Sequence, residues 1–144
     1  MTAEDDVDQL MEQFTIAQGE LLRGNAESAF SLMSHRQDVT LANPLGPVAC
    51  GWEQVVAVSD FAASRVRDGE VVDVENISKY VTPELAYVVR VERAQAKVGG
   101  QQTLSPIALR VTMIMRPEDG IWKVVHRHAD PITTAQPAES IIQQ

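Results

Sequence analysis

His126, His128 and Asp130 stand two residues apart along one stretch of the chain, Trp122-Lys123-Val124-Val125-His126-Arg127-His128-Ala129-Asp130. In an extended strand side chains alternate faces with a period of two, so these three share a face with Trp122 and Val124. A carboxylate beside an imidazole fixes its tautomer and raises its basicity, which suits proton transfer. A second stretch holds Arg90 and Glu92 at the same spacing. Glu92 is a further proton-transfer group, and the Arg90 guanidinium would stabilise a developing anion.

Whether these groups meet depends on strand register. Ile107, Leu109, Val111, Met113 and Met115 share one parity, with Arg110, Thr112 and Arg116 on the other, so the first set is the inner face. A four-residue loop at Pro117-Glu118-Asp119-Gly120 pairs Arg116 with Ile121. That places Trp122 opposite Met115, Val124 opposite Met113, His126 opposite Val111, His128 opposite Leu109 and Asp130 opposite Ile107. Lys123, Val125 and Arg127 then face solvent. A two-residue turn at Gly99-Gly100 pairs Val98 with Gln101, setting Arg90 opposite Leu109 and Glu92 opposite Ile107. Arg90, Leu109 and His128 form one row, and Glu92, Ile107 and Asp130 the next. A β-bulge in either hairpin would reverse this facing, and Pro106 offers a place for one. At Thr82-Pro83-Glu84 a three-residue loop turns Tyr80, Ser78 and Asn76 inward, whereas a two- or four-residue loop turns Val81 and Ile77 inward.

The expected site has His128, Asp130, Arg90 and Glu92 as catalytic groups. His126, Tyr80, Asn76, Trp52, Trp122, Val111 and Met113 form its ligand-binding wall. The competing account is a buried, mutually neutralised ion network at the sheet edge, since buried charges are normally paired whether or not they act on anything. His126, deeper among valines, suits a satisfied core histidine better than a catalytic one. Two histidines on one strand with no third ligand of clear spacing do not make a zinc site, so no metal is expected. Cys50 has no matched histidine and is not expected to act as a thiol nucleophile.

The elements that position these groups fall into two halves. Val7, Leu10, Met11, Phe14, Ala17 and Leu21 recur at three- and four-residue steps, an amphipathic helix with a Thr2/Asp5 capping box and an Arg23-Gly24 stop. Asn25 caps a shorter helix, a brief strand over 38–42 follows, and 43–51 is a Pro/Gly loop. A third helix is expected over 52–66, stopped by Gly69. Beyond it the pattern alternates, with strands near 70–81, 85–98, 103–116 and 121–130 joined by hairpins. Helices first and a hairpin-linked sheet second make an α+β class.

The 144 residues suit one domain over 1–132, with 133–144 as a loosely ordered tail. Twenty acids against twelve bases give a net charge of −8, which repels phosphate backbones and argues against a nucleic-acid partner. The acidic N-terminus is unlike a signal peptide and no apolar run reaches membrane-spanning length, so no membrane partner and a cytoplasmic location are expected.

The helices, the short Asp38-Val39-Thr40-Leu41 strand, the Asn43-Pro44-Leu45-Gly46 loop and the meander ending in Trp122…His126-Arg127-His128 resemble one superfamily over roughly residues 4–132. It is the nuclear-transport-factor-2-like superfamily, in its SnoaL-like and ketosteroid-isomerase-like branch. The resemblance implies a cone-shaped α+β fold, a curved mixed or antiparallel sheet wrapped by three helices around a central pocket, and a homodimer through the outer sheet face. It implies a small-molecule ligand and no cofactor, but no single activity. Relatives include isomerases, dehydratases, hydrolases, polyketide cyclases and domains that only bind or assemble. The isomerase pattern of an aspartate base with a tyrosine and a protonated aspartate has no position-by-position match, because Tyr87 faces outward by parity. The resulting expectation is an isomerase or lyase using His128 with Asp130 or Glu92 for proton transfer and Arg90 for anion stabilisation. Its alternative is a non-catalytic ligand-binding or dimerisation domain with the same residues as a structural network.

Overall fold

A computed structural model describes residues 2–143. Helix α1 (Ala3–Leu21) starts on the expected capping box: the Asp5 N–H donates to Thr2 Oγ1 at 3.0 Å and the Thr2 N–H donates to Asp5 Oδ2 at 3.2 Å. Glu4, Asp5 and Asp6 in its first turn complement the helix dipole. Val7, Leu10, Met11, Phe14 and Ala17 form its buried stripe, and the chain leaves it through Gly24 at φ 96°. Helix α2 is a single turn (Glu27–Phe30), with the Glu27 N–H donating to Asn25 Oδ1 at 2.9 Å.

Strand β1 (Thr40–Ala42) pairs antiparallel with β2 (Ala49–Cys50), a strand inside the segment expected to be loop. Helix α3 (Trp52–Ser64) ends before its expected limit. Gly69 is not its stop signal but lies within β3 (Val66–Val81), where a Cβ would stand 2.7 Å from the Ala96 Cβ and 2.8 Å from the Leu22 Cβ. Its missing side chain lets the sheet close on the end of α1. Strands β4 (Ala86–Val98), β5 (Ser105–Glu118) and β6 (Ile121–Asp130) complete a curved six-stranded sheet of order β2-β1-β6-β5-β4-β3. All neighbours are antiparallel except β1 and β6, so the sheet is mixed. The core lies between α1 and the sheet, with Phe14, Val55, Val111, Met113, Met115 and Val124 fully buried. A 3₁₀ turn at Ala138–Ile141 sits in an exposed C-terminal segment.

The hairpins decide what faces this core. Between β3 and β4 the loop has four residues, 82–85: Thr82 Oγ1 accepts from the Leu85 N–H at 3.0 Å and Val81 pairs with Ala86. Val81 therefore packs on the core, and the three-residue reading that turned Tyr80 inward is corrected. Between β4 and β5 the ladder pairs Arg90 with Val111 and Glu92 with Leu109, two residues away from the expected register. An even offset preserves facing, so Ala86, Val88, Arg90 and Glu92 point inward and are buried. Between β5 and β6 the loop is not four residues but a two-residue turn of Asp119 (φ 52°) and Gly120 (φ 82°), pairing Glu118 with Ile121 and Met115 with Val124.

A β-bulge then intervenes. Ile114 pairs with His126, so Val125 is the extra residue. On the side of β6 away from β5, the Val124 N–H and C=O are bonded to Leu32 and Ser34, while residues 126–128 pair with β1. The bulge lies where β6 changes partners. Beyond it Arg127 and Ala129 point inward, opposite Met113 and Val111, while His126, His128 and Asp130 point outward.

Candidate functional site

A cavity of about 550 Å³ opens between α1, α3 and the inner face of β5 and β6. Its walls are chiefly apolar, including Phe14, Leu22, Met33, Leu41, Leu109 and Ala129. Gln18, Asn43 and Ser59 add polar groups, and the charged lining residues are Arg65 and Arg127. The volume and the few polar groups are typical of small-molecule sites.

Arg127 belongs to a buried cluster. Its Nη1 and Nη2 donate to Glu92 Oε2 and Oε1 at 3.0 and 2.8 Å, an end-on bidentate pair. Nη1 also donates to Met113 Sδ at 3.6 Å, and the guanidinium lies 5.3 Å from the centre of the Phe14 ring. Arg90 approaches Glu92 from the other side: Nε donates to Oε2 at 2.9 Å, and Nη1 donates to Thr15 Oγ1 at 3.1 Å. Arg90 Nη2 is 2.8 Å from the same carboxylate oxygen, but without hydrogen-bond geometry, and has no other partner among the described residues. Arg90, Glu92 and Arg127 are 2%, 6% and 5% exposed.

The electrostatics follow from one anion between two cations. Burial pushes the Glu92 carboxyl up, but the charges and hydrogen bonds of Arg127, and then of Arg90, outweigh it and hold the group at about 2. Burial lowers the Arg90 guanidinium, and its attraction to Glu92 opposes this.

The residues read from the sequence thus separate into groups. Arg90 and Glu92 come together on the inner face, as their parity requires. His128 and Asp130 do not join them, and their inward facing is corrected by the bulge at Val125. His128 Nε2 is 2.9 Å from Asp130 Oδ2, Arg110 Nε donates to Asp130 Oδ1 at 2.7 Å, and the imidazole is 51% exposed on the outer face. Burial would raise the Asp130 carboxyl, but hydrogen bonds from Arg110, the Ile132 N–H and His128 hold it below the usual range. His126 also faces outward, its Nδ1 2.7 Å from Thr40 Oγ1; burial, and then the nearby His128, lower its pKa.

Among the expected wall residues, Tyr80 is 59% exposed and stacks on Tyr87, ring centroids 5.9 Å apart. Asn76 pairs opposite Arg90 yet is exposed. Trp52 stacks on His35 at 3.8 Å and meets Phe30 edge-on, and Trp122 borders a smaller cleft beside Leu10 and Gln13. Val111 and Met113 are fully buried in the core rather than lining the cavity. Arg127, assigned from parity to solvent, is the group that sequence reasoning missed. The available signal was Val124-Val125, where two adjacent valines break strict alternation.

The profile of the SnoaL-like domain matches residues 7–133. The chain belongs to the SnoaL-like domain family. Solved structures similar to this SnoaL-like domain carry the same fold at low identity. A nuclear transport factor 2-like superfamily protein from Salmonella enterica has a TM-score of 0.79 at 11% identity, over 95% of this chain and 96% of that one. A candidate dehydratase of the NTF2-like family from Streptomyces avermitilis has 0.74 at 19%, over 92% and 98%. A ketosteroid isomerase-like protein from Erwinia carotovora atroseptica has 0.64 at 15%, over 92% and 95%. No curated protein matches the SnoaL-like domain described here. Among its described residues no helix is long and apolar enough to cross a membrane, and no three metal-ligating side chains gather in one place.

Proposed function

We propose that this SnoaL-like domain holds a small, largely apolar molecule in the cavity between helices and sheet, as a binding domain rather than a proton-transfer catalyst. The observation that carries the reading is the lining itself: chiefly apolar, with cations as its charged residues and, among the described residues, no carboxylate or imidazole. Proton transfer needs a base within hydrogen-bond reach of the ligand. Glu92 is committed to two guanidinium groups and held at about 2, far below a useful base near neutrality. His128 and Asp130 lie across the sheet from the cavity. The similar structures named as dehydratase and ketosteroid isomerase-like share the fold with this chain, and their names carry no reaction over to it.

N-phenyl-1-naphthylamine, a neutral fluorescent probe, should bind saturably with one site per chain. An Ala62→Trp substitution, which fills the cavity from α3, should abolish the signal while circular dichroism stays unchanged. Absence of saturable binding, or binding indifferent to that substitution, would overturn the reading.

The outer sheet face is the proposed surface for a second copy of the chain. Half-buried Val89, Val91 and Ile114 run across it beside the exposed Tyr80–Tyr87 stack. Ile114→Glu should shift the elution volume in size-exclusion chromatography towards a smaller species, and an unaltered volume would count against pairing there.

A further inference from the structure

We propose that the molecule bound in the cavity is an amphipathic carboxylate, with its apolar body against the walls and its anionic end on the free edge of Arg127. This rests on the reading of the cavity as a small-molecule site and adds the chemical class of its occupant.

Arg90, Glu92 and Arg127 are buried together with two positive charges and one negative. A purely structural ion network buried to this degree should be neutral, because an uncompensated charge out of water is costly. The Phe14 face and the Met113 sulfur soften the excess charge without cancelling it. One more anion in this place would balance the cluster. The remaining charged lining residue, Arg65, is also a cation. In a chain with 20 acidic residues, none of them lines this cavity.

Donor geometry points the same way. A guanidinium has five N–H donors in a planar fork. Arg127 uses three: two from Nη1, to Glu92 and Met113, and one from Nη2, to Glu92. Among the described residues nothing accepts from the Nε–H or the second Nη2–H, which lie adjacent on the side edge of the group. That pair matches the two oxygens of a carboxylate for a second bidentate contact. Arg127 is also the member of the cluster that lines the cavity, whereas Arg90 and Glu92 stand behind it. Glu92 therefore serves as a positioning residue, holding the Arg127 guanidinium end-on so that its side edge stays available.

The test compares 1-naphthylacetate with its uncharged amide, 1-naphthylacetamide, by isothermal titration calorimetry on the full chain. Wild type should bind the acid at least tenfold more tightly than the amide. Arg127→Met leaves Arg90 and Glu92 as a matched pair, so it should erase that preference, read as the ratio of acid to amide affinity falling to about one. Arg127→Lys keeps the charge without the fork and should restore only part of the preference. Equal affinity for acid and amide in wild type, which needs no variant to fold, overturns the inference, as does a preference that survives in Arg127→Met. Failure of N-phenyl-1-naphthylamine to bind would instead remove the cavity reading and this inference with it. Binding of that neutral probe with no preference for the acid sinks the inference alone.

Discussion

Glu92→Gln should destabilise the fold by about 3–5 kcal/mol, because it strips the shared partner from two buried cations. Both guanidinium groups lie within 3.0 Å of the same carboxylate, so the variant would leave two like charges facing each other beneath α1. The neutral amide can accept from one of them, but it supplies no charge. Against a total stability of about 5–15 kcal/mol for a domain of this kind, such a loss is large. At roughly 2–4 °C per kcal/mol it corresponds to a fall in melting temperature of about 6–20 °C, readable by calorimetry. Arg127→Met should cost much less, since it leaves Arg90 and Glu92 paired one to one. A Glu92→Gln variant that melts within about 2 °C of wild type would mean that the cluster is not charge-balanced by this residue.

The same carboxylate should dominate the acid limb of stability. Its folded-state pKa lies at about 2 against an ordinary value of 4.5. A group with a depressed folded pKa adds stability above its unfolded pKa and loses it as pH falls towards the folded one. Two and a half pKa units at 1.36 kcal/mol each amount to about 3 kcal/mol. Wild type should therefore lose about 3 kcal/mol more than Glu92→Gln on going from pH 6 to pH 2. Asp5 and Asp38, exposed to water, and the half-buried Asp130 also have lowered pKa values, but these groups are untouched by the substitution, so their contributions should be common to both proteins. Urea midpoints across that range give the comparison. Parallel curves for the two proteins would place the acid sensitivity elsewhere.

Much of this architecture was legible because alternation survives errors of two. On β4 and β5 the expected register was off by two residues, yet Arg90 and Glu92 still face inward with Val88 and Val111, since facing depends on parity alone. The first helix was legible down to its cap, because Thr2 and Asp5 satisfy each other's backbone N–H groups locally. The failures came where one side chain or one residue sets geometry. The Thr82 hydroxyl closes a four-residue loop and sends Tyr80 outward, and nothing in the apolar pattern of β3 discriminates that from a three-residue loop. Gly69 reads equally well as a helix stop or as a place of close backbone approach, and only the contact with Leu22 and Ala96 separates the two. Beyond Val124 the facing of β6 is not legible locally, because the change of partner, from the Leu32–Ser34 segment to β1, comes from parts of the chain far earlier in the sequence.

The extra residue at Val125 makes β6 a text with two reading frames. Run without the bulge, its second half would offer the interior a comb of imidazoles, with His126 meeting Met113 and His128 meeting Val111. Run with it, the same residues offer a single guanidinium and send the imidazoles to the far side. Deleting Val125 would straighten the strand without changing the frame, because Ile114 already meets His126. Keeping Val125 while forcing a regular ladder would exchange one chemistry for the other with no change of composition. Related strands are therefore comparable here only by phase, counted from the pairing of Met115 with Val124, and an alignment by residue identity alone would equate side chains that stand on opposite sides of the sheet.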